Sequence, residues 1–167
     1  MAELSQKERL QPSLLDRLTD DAPDKLQESR EQRVLSINKL RGLVLRDLGW
    51  LLNTSPMDTV QSLDDYPLAR HSVVNYGIPD LVGMTLSNTN VPDIQMQIRQ
   101  AIWDFEPRIS RESVQVKVTV SENQMNLNAM TFDIEGDLWA QPLPLRLYLR
   151  TELDLETGNM EIIERGM

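Results

Sequence analysis

The chain contains no cysteine, which removes disulfides and thiolate metal sites and agrees with a reducing compartment. Its one histidine is His71. With no thiolate or second imidazole to join it, a solvent-facing or hydrogen-bonded structural role is expected, not metal ligation or general-base chemistry. Glycine is scarce, seven residues in all, and none is grouped as a phosphate-cradling loop requires. Cations are outnumbered too: 17 Lys and Arg stand against 26 Asp and Glu, a formal net charge of −9 at pH 7. That balance opposes indiscriminate nucleic-acid binding, which needs cations to displace counterions from phosphates. Long apolar runs are missing, so no segment predicts a bilayer span, and the first residues carry no apolar signal core. The expectation is a soluble cytoplasmic chain with no cofactor, no metal, no nucleic-acid partner and no direct membrane insertion.

At 167 residues the chain is long enough for one domain with a real core and an accessory arm. Residues 1–28 read as the arm, since charges of both signs, Pro12 and Pro23 leave little to bury. One island interrupts it: Leu14, Leu15 and Leu18 fall on one side of a single helical turn, too short to be stable alone. Such a turn is either a docking peptide or an arm whose leucines fold back onto their own domain.

Residues 29–167 carry the domain pattern. From about Ser29 to Asn53, Val34, Ile37, Leu40, Val44, Leu48 and Leu51 recur every three or four positions, which predicts the main core helix. Arg30, Arg33, Lys39, Arg41 and Arg46 lie largely off that stripe. With no aromatics interleaved for stacking, they read as a solvated face. The middle is irregular, with a short helix expected from Pro67 to about Asn75 and a turn at Tyr76-Gly77-Ile78-Pro79-Asp80, where Gly77 permits a left-handed residue. A second amphipathic helix starts near Pro92 and presents Ile94, Ile98, Ile102 and Phe105 on one face.

After this helix the period changes to two. Val114, Val116, Val118 and Val120 form one alternating run, and Met130, Phe132, Ile134 and Leu138 another. A third places Leu145, Leu147, Leu149 and Leu153 inward, with Leu155 as a possible continuation, and a turn at 156–159 leads to a last strand around Met160, Ile162 and Ile163. Helices first and strands afterwards predict an α+β fold, N-terminal helices packed on a C-terminal antiparallel β-meander. The last strand is expected at a sheet edge, with outer main-chain groups free to recruit another strand.

The change of period falls at Asp104-Phe105-Glu106-Pro107-Arg108. Pro107 ends the helix and pushes Glu106 out of the helical region. Glu106 and Arg108 are therefore expected to project from an extended elbow, better suited to recognition than to burial, with Trp103 and Phe105 as apolar anchors. Glu106 could also be read as the acid of a glycosidase, with Asp104 or Asp133 as second carboxylate. Arg108 opposes that reading, because a guanidinium two residues away favours the ionised carboxylate.

Several stretches, in this order, resemble a known family: Pro12-Ser13-Leu14-Leu15-Asp16-Arg17-Leu18, Ser36-Ile37-Asn38-Lys39-Leu40, Arg46-Asp47-Leu48-Gly49-Trp50-Leu51-Leu52-Asn53-Thr54, Ser72-Val73-Val74-Asn75-Tyr76-Gly77-Ile78-Pro79-Asp80 and Glu106-Pro107-Arg108. Together they are similar to TssE, the baseplate subunit of bacterial type VI secretion systems, itself similar to a contractile-phage wedge protein labelled a lysozyme. The resemblance implies a structural, non-enzymatic subunit. It would join TssF, TssG and TssK in a baseplate wedge docked at the inner-membrane complex and help start the TssB/TssC sheath. It also implies that Glu106, Pro107 and Arg108 contact the TssF and TssG core, and that the strand around Met160, Ile162 and Ile163 meets the sheath. Leu14, Leu15 and Leu18 complete the expected partner-binding residues, with no catalytic residue. A peptidoglycan hydrolase and a regulatory adaptor are the alternatives.

Overall fold

A computed structural model describes residues 13–19, 23–24, 36–81, 90–120, 129–138, 145–154 and 157–164. The boundary expected near residue 28, the helix start near Ser29, and the positions of Val34, Arg30, Arg33 and Leu155 lie outside the described residues. Among the described residues, four helices, α1 (Leu14–Leu18), α2 (Ile37–Leu52), α3 (Pro67–Arg70) and α4 (Val91–Phe105), precede four strands, β1 (Gln115–Val120), β2 (Ala129–Leu138), β3 (Leu145–Asp154) and β4 (Met160–Glu164). The strands form one antiparallel sheet in the order β1-β2-β3-β4. This is the α+β meander that the change of period predicts, and β4 is an edge strand.

α4 forms where its sequence says it should, but α2 starts later than the stripe through Val34 predicts: Ser36 takes extended dihedrals (φ −71°, ψ 152°) and the helix begins at Ile37. Ser36 caps α2, its hydroxyl accepting from the Lys39 N–H at 3.1 Å, and satisfies one of the unpaired donors of the first turn. Leu40, Val44, Leu48, Leu51 and Leu52 are the buried side of α2. At its other end Asn53 Nδ2 donates to the Gly49 carbonyl at 2.8 Å and Thr54 Oγ1 to the Trp50 carbonyl at 2.7 Å, so carbonyls without helical partners are met by side chains. In α4, Pro92 sits in the first turn and Ile94, Ile98, Ala101 and Ile102 are buried.

The two helices share one face of the sheet. α4 lies against β1 and α2 against β4, and the helices touch each other. Met130, Phe132, Ile134, Leu138, Leu147, Leu149, Leu153 and Met160 point into this layer and join the helical residues in one apolar cluster. Burying a side chain such as Phe132 is worth about 1.5–3 kcal/mol. Thr151 shares the inward face and is fully buried, a position the leucine alternation alone does not reveal. The opposite face is charged, with Arg150 against Asp133 at 2.8 Å and Arg146 near Glu135 and Asp137.

Two details set the corners. The helix expected from Pro67 to Asn75 is two pieces, α3 and a 3₁₀ turn Val73–Asn75, because Ser72 turns its hydroxyl to the Ala69 carbonyl at 2.8 Å and caps Val74. Gly77 has φ of +133°, and a Cβ there would lie 2.1 Å from the Thr54 carbonyl oxygen. The same carbonyl accepts from Ile78 N–H at 2.9 Å. The end of α2 and the Gly-Ile-Pro turn, distant in sequence, are thus pressed together.

Candidate functional site

Pro107 ends α4 as expected, and Glu106 takes non-helical dihedrals (φ −123°, ψ 76°) as its C-cap. The side chain goes elsewhere than predicted: Glu106 is buried, 3% exposed. Its carboxylate curls back onto its own chain. Oε1 accepts from the Arg108 main-chain N–H at 3.1 Å and from Arg108 Nε at 2.7 Å, and Oε2 accepts from Nη2 at 2.5 Å. This bidentate, charge-assisted pairing compensates the loss of water. The elbow is therefore an internal brace, and the expectation that Glu106 and Arg108 project outward is corrected, the Arg108 side chain being only 20% exposed.

The brace reaches α2. Arg108 Nη2 also donates to Asp47 Oδ2 at 2.5 Å, and Arg46 donates to Asp47 Oδ1 at 2.9 and 2.7 Å. Arg46 in turn lies 2.8 Å from Asp16 of α1 and 4.7 Å from the centre of the Trp50 ring. Asp16, Arg46, Asp47, Arg108 and Glu106 make one chain of alternating charge from the arm to the elbow. Arg46, expected on a solvated face, is in the middle of it.

Burial opposes the charged form of Arg108, yet the bonds and charges of Glu106 and Asp47 outweigh it, and its pKa is driven further up. Burial also raises the Tyr76 phenol, helped by the charges of Asp47 and Glu106. For Asp16, burial again disfavours the ion. The Ser13 hydroxyl and Arg46 more than offset this and hold the carboxyl below its ordinary value. Arg108 Nη1 is buried and has no hydrogen-bond partner among the described residues.

A cleft of about 410 Å³ opens beside this chain. Ser13, Leu15, Trp50, Tyr76, Phe105 and Pro107 contribute to its walls along with the charged residues, and Tyr76 meets Phe105 edge-on with centroids 5.2 Å apart. Trp103, expected beside Phe105, is absent from the cleft. Two residues along a helix face apart, and its indole donates to the Arg111 carbonyl at 2.9 Å. Pro107 is exposed. Leu14 and Leu18 are exposed as well, while Leu15, about half exposed, faces the cleft, and Asp16 ties α1 to the domain through Arg46.

The carboxylates weighed for hydrolysis are spread out. Asp104 accepts from Gln100 and pairs with His71 Nδ1 at 2.7 Å, and Asp133 sits on the charged sheet face with Arg150. Neither lines the cleft. Among the described residues no group of His, Asp and Glu could hold a metal ion, and no helix is long and apolar enough to cross a membrane.

At the far end of α2, Met160 is buried and Ile162 is half-buried with its Cδ1 near Gly49; the Ile163 side chain lies outside the described residues. Not all of the outer edge of β4 is free. Asn53 Oδ1 accepts from Met160 N–H at 2.8 Å, and Asn53 Nδ2 donates to the Met160 carbonyl at 3.0 Å.

A family model described as baseplate wedge protein gp25 matches residues 38–143, more than half of the chain. The chain belongs to the baseplate wedge protein gp25 family. This is also the family of TssE, as the short motifs implied. Comparison with curated proteins and with solved structures gives no match. The gp25 match takes in α2 from its second residue, α3, α4, β1 and β2, and with them Asp47, Glu106, Pro107 and Arg108; α1, β3 and β4 lie beyond it. Asp47 and Asn53 were missed as functional residues by sequence reasoning.

Proposed function

We propose that this chain is a non-enzymatic wedge subunit of a type VI secretion baseplate. In this reading it joins TssF, TssG and TssK, sits in the cytoplasm where the baseplate docks at the inner-membrane complex, and helps to start the TssB/TssC sheath. Membership of a family of structural baseplate proteins supports the general role. The observation that carries the choice of binding over hydrolysis is the state of Glu106: both oxygens accept from Arg108 inside the domain. A glycosidase acid must instead present a proton to substrate, with a second carboxylate across the bond. The cleft beside it offers what a partner segment needs, namely apolar walls, the exposed Pro107 and the unmet Arg108 Nη1. The leucines of α1, tethered by Asp16 at its rim, extend that surface, with residues 1–28 acting as an arm.

The test is copurification of the tagged full chain from its native cells. TssF and TssG are expected among the recovered proteins, and recovery without any baseplate protein refutes the reading. In parallel, purified protein should leave peptidoglycan as intact as a buffer control. Turnover that Glu106→Gln abolishes would establish the hydrolase instead.

A further inference from the structure

Residues 57–75 hold a surface that the cleft does not use. The segment is folded by polar bonds. Asp58 N–H donates to Asn75 Oδ1 at 2.9 Å, Leu63 N–H to Asp58 Oδ1 at 2.9 Å, Asn75 Nδ2 to the Arg70 carbonyl at 3.0 Å and Arg70 to Asp64 at 2.6 Å. Its 3₁₀ turns and α3 contact one another. Only Leu63 among its large apolar residues is buried. The others face solvent: Val60 is 90% exposed, Leu68 89% and Val73 81%, with Tyr66 and Val74 more than half exposed.

Exposed apolar side chains that contribute nothing to holding their own segment, on a framework fixed by hydrogen bonds whose turns touch one another, suit an interaction surface. The charges select the partner. The segment carries Asp58, Asp64 and Asp65 against a single Arg70, and Arg70 is already engaged by Asp64 and Asp58. The chain as a whole has a net charge of −9. Anionic lipid and nucleic acid are repelled by such a rim, and so is a second copy of this acidic chain.

We infer that residues 57–75 are a second docking surface, separate from the cleft, and that it takes a polypeptide segment in which apolar residues alternate with Lys or Arg. The apolar side chains of that segment cover Leu68 and Val73, and its cations meet Asp65.

The experiment replaces Leu68 with a photoreactive benzoylphenylalanine in the full chain, in native cells, and maps the cross-linked peptide. Exposed Gln115 on β1 serves as the control position. A peptide from another protein with more Lys and Arg than Asp and Glu, and with large apolar residues, is expected. That peptide is then synthesised and titrated against the purified chain. Leu68→Ser with Val73→Ser should weaken binding about tenfold or more, Asp65→Lys should weaken it in the same direction, and added salt should weaken it further. Cross-links no stronger than at Gln115, or to lipid, nucleic acid, an acidic peptide or another copy of the chain, overturn the inference. So does unfolding of the Leu68→Ser, Val73→Ser variant by circular dichroism, which would make these side chains part of the fold.

Discussion

Asn53 and Met160, 107 positions apart, are joined by a pair of hydrogen bonds in which a side-chain amide stands where a neighbouring strand would. The amide satisfies both main-chain groups of Met160 on the side away from β3. Asn53→Ala leaves them unpaired beside a buried residue, at a cost of about 1–3 kcal/mol. The urea midpoint should fall accordingly, and an unchanged midpoint would show that water replaces the amide.

The same pair limits where another strand could be added. In an antiparallel ladder, main-chain groups face the partner strand and away from it at alternate residues. Because Met160 faces away from β3, Ile162 is the next residue to do so. Ile162→Pro should therefore remove an outward N–H while sparing the β3–β4 bonds, as prolines on edge strands do. If β4 receives a sheath strand, the variant folds and keeps its baseplate partners but nucleates few sheaths in cells, scored by fluorescence. Sheaths at the normal frequency would eliminate strand addition.

Removing Arg108 leaves the Glu106 carboxylate buried without its guanidinium, and loss of one member of a buried pair costs about 3–5 kcal/mol. Arg108→Ala should unfold at a much lower urea concentration than the parent. Glu106→Gln keeps the shape without the charge and should be milder. Equal midpoints for all three proteins would contradict the brace.

Gly77 combines a positive φ with the closest backbone approach described above. Gly77→Ala should destabilise by more than about 1 kcal/mol, read as a lowered Tm, because the Thr54 carbonyl cannot give way without losing its bond to Ile78. An unchanged Tm would mean that the turn relaxes freely.

Acid should loosen α1. A carboxyl with a lowered folded-state pKa contributes stability that is present above its unfolded value and lost as pH falls through the folded one. Asp16 is such a group. The effect is about 1 kcal/mol or less, since Arg46, its partner, is one-third exposed. Amide exchange in Leu14–Leu18 should accelerate as pH drops below the ordinary carboxylate range, after correction for intrinsic rates. Asp16→Asn should already exchange fast at neutral pH, and an Asp16→Asn profile identical to the parent would exclude the tether.

Elements whose burial repeats along the chain were readable in the sequence. Leu40, Val44, Leu48 and Leu51 announce α2, Ile94, Ile98 and Ile102 announce α4, and the alternation through Met130, Phe132 and Ile134 announces β2. Gly77 was readable because few other residues fit a turn of that kind. Glu106 was misread because a residue before proline fixes the direction of the backbone, whereas its carboxylate followed the nearest donors, those of Arg108. Asn53 reads locally as a helix stop, and nothing nearby in sequence points to Met160. Asp47 did leave a trace: it lies three residues after Val44 and four before Leu51, an acid inside an apolar stripe. Such an interruption signals a buried ion pair whose other half lies elsewhere in the chain.

α2 meets the cleft through Asp47 and, six residues on, holds the sheet edge through Asn53. At roughly 1.5 Å of rise per residue the two points are about 9 Å apart along the axis. Between them lies a helix packed on the sheet, with no hinge. If, as proposed, one neighbour seats at the elbow and another on β4, the two are thereby held at a fixed offset. In the proposed role the chain would then work as a gauge block, passing on where one piece of an assembly sits to the next without having to change shape.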